Sequence, residues 1–354
     1  MSTAAHFPPS SVAKNRRHTF ALLQAIRGMV ALFVVVSHSG IKPGIGTFSV
    51  ASFFTLSGCI MAMLLEEQPS PFQFIKSRII RTIPLYWAVT LVTAALSLVA
   101  PSLRNSGDVP TWSKLAMSLL FIPYTNSTGA IAPIFSLGWT LNFEIYFYLL
   151  LALGLALSRR HARLFAGAAM LTLGIVAHLA RGDTTARWFL GDPSALQFAL
   201  GLGLWWLYRR IQPSVSNPWL LLVLPVLVAL ACVTDMSHWA LPGEYGRYSS
   251  SLRPTIPAFF IVMTGLWLEQ AFQRFPDRLR GYIVRFGDAT YAIYVTHLFV
   301  VRPLRIGLTA LDLGGTNTLP GCIACCVLST VVGLLVEERL HAPVRRRLRR
   351  LLHA

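Results

Sequence analysis

The feature that most limits what this chain can become is a series of apolar runs, each close to the length that crosses a lipid bilayer. A helix needs about 20 predominantly apolar residues to span hydrocarbon roughly 30 Å thick. Such runs fall at 20–38, 48–65, 83–101, 136–157, 164–180, 190–208, 219–234, 255–272, 286–304 and 319–336, separated by short polar stretches. In lipid every backbone N–H and C=O needs an internal partner, so these runs are read as helices. Composition agrees: 54% of the 354 residues are hydrophobic and 13% charged, about half the charged fraction of a soluble domain. The sequence therefore predicts an all-α integral membrane protein with about ten transmembrane helices. A weaker run at 115–123 is too short to cross and ends in Pro123-Tyr124-Thr125-Asn126, which reads as a re-entrant or interfacial segment.

The basic residues test that helix count, because cytoplasmic loops are enriched in Lys and Arg. With the N-terminus inside, 21 of the 31 Lys and Arg fall on the cytoplasmic side, in clusters such as Lys14/Arg16/Arg17, Lys76/Arg78/Arg81 and Arg345–Arg350. Nine fall outside, Arg302 and Arg305 among them, and Arg27 lies within the first helix. Both termini are thus placed in the cytoplasm. Residues 1–17 read as a disordered basic cytosolic tail followed by a retained helix, 18–340 as one membrane domain, and 341–354 as a basic cytosolic C-terminal tail. The formal net charge of +17 then sets orientation and favours anionic membrane lipids. It does not mark nucleic-acid binding, which needs basic residues interleaved with aromatics on one surface. The five cysteines, three of them in the last apolar run, have neither a disulfide-scaffold nor a zinc-ligand pattern, so no metal is expected.

An ionisable side chain in hydrocarbon is expensive and marks a functional candidate; a polar bridge between helices is the plain alternative. Arg27 and His38 stand eleven residues apart on the first helix. That is nearly three whole turns, so both lie on one face, about 16 Å apart along the axis. A histidine can serve as a general base, and an arginine holds charge. Arg78 and Arg81, in the loop after the second helix, are three apart on one side of a turn, where two guanidiniums suit phosphate oxygens or simply anchor the loop. The fourth helix carries Trp139, Asn142, Glu144 and Tyr148, with the last two on a shared face. Tyr291, Tyr294 and His297 form a polar stripe on the ninth. His161, His178, Asp183, Asp192, His341 and His353 sit near helix ends, in a loop or in the tail, and read as interfacial or solvated.

Together these residues resemble the acyltransferase-3 family of bacterial membrane O-acyltransferases, whose mark is an arginine, ten residues and a histidine on the first helix. The likeness continues through Phe53-Phe54-Thr55-Leu56-Ser57-Gly58, the Arg78/Arg81 pair with Pro84 and Tyr86, Trp139 to Tyr148, and Ala289 to His297. Two positions depart from the pattern. The acid often seen before the Phe-Phe pair is Ala51, and the one before the arginine is Gln24; glutamine there is similar to the exopolysaccharide-acetylating branch.

The resemblance implies a multi-pass enzyme of the inner (cytoplasmic) membrane. It would transfer an acyl group, usually acetyl, from cytoplasmic acyl-CoA to a hydroxyl of a polysaccharide, a lipid-linked glycan or a similar acceptor. His38, Arg27 and Glu144 are then the catalytic group, with His38 the base. Arg78 and Arg81 would hold the phosphates of the donor, expected to be acetyl-CoA, and Tyr291, Tyr294 and His297 would bind substrate. Direct transfer and an acyl-histidine relay both remain open. So does a second class of function, a secondary transporter or flippase, because buried Arg, His and Glu also line solute pathways; dependence on acyl-CoA separates the two.

Overall fold

A computed structural model describes residues 20–100, 109–180, 182–211, 223, 227 and 254–353. The order is α1 (Ala21–Ser39), α2 (Ile45–Leu64), α3 (Pro71–Val99), α4 (Trp112–Leu119), α5 (Gly138–Leu157), α6 (Ala162–Leu179), α7 (Thr185–Leu190), α8 (Ser194–Ile211), α9 (Thr255–Phe272), α10 (Asp277–Asp288), α11 (Thr290–Thr296), α12 (Leu298–Ala310), α13 (Leu319–Val336), a π-helical turn (Glu337–His341) and α14 (Ala342–His353). Among the described residues the only β-type pairing is an isolated bridge between Thr125 and Ile131. Seven of the described helices are long and apolar enough to cross a membrane, and they coincide with seven of the ten apolar runs. Of the other three, the run at 190–208 forms α8, the run at 219–234 lies outside the described residues apart from 223 and 227, and the ninth is divided.

That ninth run departs from the single helix expected at 286–304. It is split at Ala289 and at His297, giving the amphipathic α10, the short α11 and α12. The second break has a local cause, since the His297 imidazole Nδ1 lies 2.7 Å from the Tyr294 carbonyl and takes an acceptor that belongs to the helical ladder. Pro303 inside α12 removes another ladder donor.

The third run also differs. Ser70 caps Gln73 in a reciprocal box with Pro71 at the first helical position, so α3 begins well before the apolar stretch. Arg78 and Arg81 are therefore helical residues, not loop residues. With 29 residues α3 is about 44 Å long, longer than the roughly 30 Å that hydrocarbon needs. The weak run at 115–123 contains α4, whose 8 residues reach about 12 Å, too short to cross.

The helices pack through small residues. A Cβ on Gly58 of α2 would lie 3.0 Å from the Gly201 Cα of α8, and one on Gly201 would lie 2.9 Å from the Gly58 Cα. The two backbones thus meet with nothing between them, a close approach that drives helix association where no hydrophobic effect operates between helices. Phe198, one turn away, stacks on Phe147 at 4.2 Å and touches Phe54 at 4.6 Å, which fixes α5 against the same crossing.

The start of α1 is completed by another helix. Glu269 near the end of α9 is buried and accepts from the backbone N–H groups of Ala21 (2.9 Å) and Leu22 (2.8 Å), one on each carboxylate oxygen. The carboxylate also faces the positive end of the α1 dipole. We expect Glu269→Ala to cost about 1–3 kcal/mol, because two buried donors lose their acceptor. Thermal unfolding in detergent measures it, and an unshifted midpoint would rule out the capping role.

Candidate active site

Because α1 is unbroken from Ala21 to Ser39, it carries Arg27 and His38 on one face at fixed separation. At its C-terminal end the carbonyl groups that helix geometry leaves without partners are bonded by the segment that follows α11. Arg305 donates to the His38 carbonyl at 2.5 Å and to Thr316 Oγ1 at 3.1 Å, and Thr316 donates to the Ser39 carbonyl at 2.8 Å. The His38 backbone is held on its exposed side by these bonds.

The imidazole of His38 meets that of His297. The two ring centroids are 5.0 Å apart, and His297 Nε2 lies 3.4 Å from His38 Nδ1. His38 Nδ1 also lies 2.9 Å from the Val34 carbonyl, a pure acceptor, so Nδ1 carries the proton. By the same reasoning His297 Nδ1 carries a proton toward the Tyr294 carbonyl, which leaves its Nε2 as a lone pair facing the His38 Nδ1–H. The unprotonated nitrogen of His38 is consequently Nε2. His297 is fully buried, so this break in the ninth run places a second imidazole behind the first.

Further back along α1, toward its N-terminal end, a small cavity of about 70 Å³ is lined by Arg27, Arg81, Glu144, Thr290, Tyr291 and Tyr294, among others. Tyr294 donates or accepts with Thr140 Oγ1 at 2.7 Å, and Tyr291 donates to the Thr82 carbonyl at 2.7 Å. Glu144 accepts from Tyr148, one turn along α5, as their shared face suggested. The Arg78 guanidinium lies over the Tyr148 ring, 5.9 Å from its centre. Arg27 donates to Gln24 at 3.0 Å. Among the described residues Arg27, Arg78 and Arg81 take part in no ion pair within 4 Å. Arg27 and Arg78 face Glu144, Asp288 faces Arg27 and Arg81, and Glu337 faces Arg81, so guanidiniums and carboxylates are gathered together at this end of the site. A larger cavity of about 910 Å³ opens nearby at the ends of α1, α8, α9 and α10, with Glu269, Gln273, Arg280 and Asp288 in its wall.

The sequence-derived residues thus fall into two groups joined by α1 and α11. His38 and His297 gather at the C-terminal end of α1, Arg27, Arg78, Arg81, Glu144 and Tyr291 gather further back along it, and Tyr294 stands between them, in the cavity wall and with its ring 6.2 Å from that of His297. Two further groups were not singled out from sequence. Glu337 and His341 are buried beside Arg81, with side chains 8% and 1% exposed, whereas His341 was read as part of a solvated tail. Their spacing of four residues on a helix was the available signal. Among the described residues no group of three or more His, Cys, Asp or Glu could hold a metal ion.

Comparison with known proteins identifies relatives along most of the chain. The chain is 30% identical over 322 residues to "Exopolysaccharide production protein ExoZ" of Rhizobium meliloti, covering 89% of this chain and 95% of that one. It is 28% identical over 284 residues to "Acyltransferase MdmB" of Streptomyces mycarofaciens, covering 73% of this chain and 69% of that one. No solved structure matches it. The acyltransferase domain of the acyltransferase-3 type matches residues 20–338, almost the whole chain, and the protein belongs to that family of multi-pass membrane acyltransferases.

Proposed function

We propose that this protein transfers an acetyl group from cytoplasmic acetyl-CoA to a hydroxyl of a polysaccharide or lipid-linked glycan at the inner (cytoplasmic) membrane. The observation that carries this reading is the single rigid helix α1, which joins an arginine-rich inner site to a paired histidine near the outer end. Arg78 and Arg81, on the part of α3 that extends toward the cytoplasm, suit the donor phosphates, since forked guanidiniums recognise phosphate oxygens bidentately. Arg27 then lies along the path of the extended pantetheine arm, with Glu144 and Tyr291 beside it.

At the outer end His38 Nε2 accepts the proton of the acceptor hydroxyl as its oxygen attacks the thioester carbonyl carbon. The carbon–sulfur bond breaks, and the proton passes from His38 to the departing CoA sulfur. His297 Nε2 faces the Nδ1–H of His38, so it holds the productive tautomer and stabilises the transient imidazolium, as the third group of a catalytic triad does. Support for a glycan acceptor comes from ExoZ, whose name ties it to exopolysaccharide production, and support for acyl transfer from MdmB.

The reading is tested with purified protein in detergent, labelled acetyl-CoA and an acidic or neutral exopolysaccharide, following both CoA release and label on the glycan. Transfer that requires the protein supports it, and solute movement without any use of acyl-CoA would favour a transporter instead. Within this scheme Arg78→Ala is expected to raise the KM for acetyl-CoA about tenfold, the loss of one charge-assisted hydrogen bond, with kcat little changed. Steady-state kinetics at saturating acceptor decide it; an unchanged KM would remove Arg78 from the donor site.

A further inference from the structure

The stretch from Glu337 to His353 carries six arginines, and by sequence alone it is a positive tail. In the fold it is continuous with α13, and at Glu337–His341 the helix widens by a π-turn, a distortion that recurs at functional positions. The widened turn brings Glu337 and His341 to the same side, buried against α3. His341 Nδ1 lies 2.6 Å from Glu337 Oε2, and His341 Nε2 lies 2.8 Å from the Arg81 carbonyl. Both partners are acceptors, so each ring nitrogen is placed to donate. The other Glu337 oxygen accepts from Arg345 on α14.

The bond to the Arg81 carbonyl falls at a particular place in α3. Pro84 lies three residues on, and a proline inside a helix removes a ladder donor and pushes the preceding turn open. Two successive carbonyls of that turn are bonded from outside: Arg81 by His341 and Thr82 by the Tyr291 hydroxyl. The rings of His341 and Tyr291 themselves meet at 5.4 Å. The turn before Pro84 is thus gripped by α11 on one register and by the π-turn on the next, and Arg81, the residue in the grip, lines the small cavity. Further along, Arg345 faces Arg81 and Arg349 as well as Glu337, and Lys76 of α3 donates to the Leu352 carbonyl, so α14 runs beside the whole basic start of α3.

We propose that Glu337 and His341 are positioning residues that hold Arg81 in the donor-phosphate clamp, and that α14 forms the cytoplasmic wall of that clamp. The inference rests on the reading of Arg78 and Arg81 given above. Removing the grip leaves the Arg81 side chain present but lets its backbone relax, which weakens phosphate binding without touching His38.

The test compares two donors, acetyl-CoA and S-acetylpantetheine, the second lacking the nucleotide and its phosphates. His341→Ala is expected to raise the KM for acetyl-CoA about tenfold with kcat unchanged, and to leave the KM for S-acetylpantetheine at its wild-type value. His341→Gln, whose amide can still donate to the Arg81 carbonyl, should recover most of the loss. Combining His341→Ala with Arg81→Ala should add nothing to Arg81→Ala alone, since both act on one contact. A variant that harms both donors equally, or that leaves the KM for acetyl-CoA unchanged while the wild type turns it over, overturns the positioning role. A wild-type protein that uses neither donor overturns this inference together with the donor site on which it rests.

Discussion

A His38→Ala protein is expected to lose about 10²- to 10⁴-fold in kcat, the range that a positioned general base contributes. It should keep its affinity for acetyl-CoA. The two effects separate because His38 stands about 16 Å along α1 from Arg27, beyond the inner cluster of guanidiniums. His38→Gln should be no better than alanine, because an amide fills the space next to His297 but cannot take a proton. Rapid-quench measurement of label transfer gives kcat, and equilibrium binding of acetyl-CoA gives affinity. Wild-type turnover by His38→Ala would sink the assignment of the base. If the variant also lost donor binding, the division of the site into an inner and an outer end would have to be abandoned.

The largest expected effect on stability lies far from the chemistry, where α2 and α8 cross. A side chain on Gly201 would meet the Thr55 carbonyl, and its Cβ would lie 2.9 Å from the Cys59 nitrogen. These obstacles are backbone atoms and cannot rotate away. Gly201→Val should therefore destabilise by about 3 kcal/mol, the upper end for overpacking a close-fitted interface, and lower the yield of monodisperse protein. Gly203→Val supplies the control, since the same position two residues on has nothing within 4 Å and should be neutral apart from helix propensity. Equal melting of the two variants in detergent would show that the close crossing is not what holds α8.

Much of the fold could be read because the bilayer imposes its own length on every span. The runs at 255–272 and 319–336 end where α9 and α13 end, since proline or charge stands at those boundaries. The pairing of Arg27 with His38 was equally legible: both lie on one uninterrupted helix, so spacing alone sets their relation. The His38–His297 contact was not, because it joins residues 259 apart and no local period encodes it. The early start of α3 went unread for a different reason. Lys76, Arg78 and Arg81 interrupt the apolar pattern, and only the cap at Ser70 and Gln73 announces the helix. The segment after Val336 misled in the opposite way, since its arginines hid the buried His341, which was read as part of a solvated tail.

The carboxylate of Glu269 belongs to a residue made 248 positions after the Ala21 N–H that it accepts. During synthesis the first helix enters the membrane long before its own first turn can be completed, so that turn waits on water or lipid headgroups until the eighth run, 255–272, arrives. Closing so long a loop is the kind of non-local step that comes late in folding. The helix that carries both Arg27 and His38 is thus the first to be inserted and is locked only after residue 269 has been made. Chains released before residue 269 would hold the base and the inner arginine on a helix with no fixed starting point.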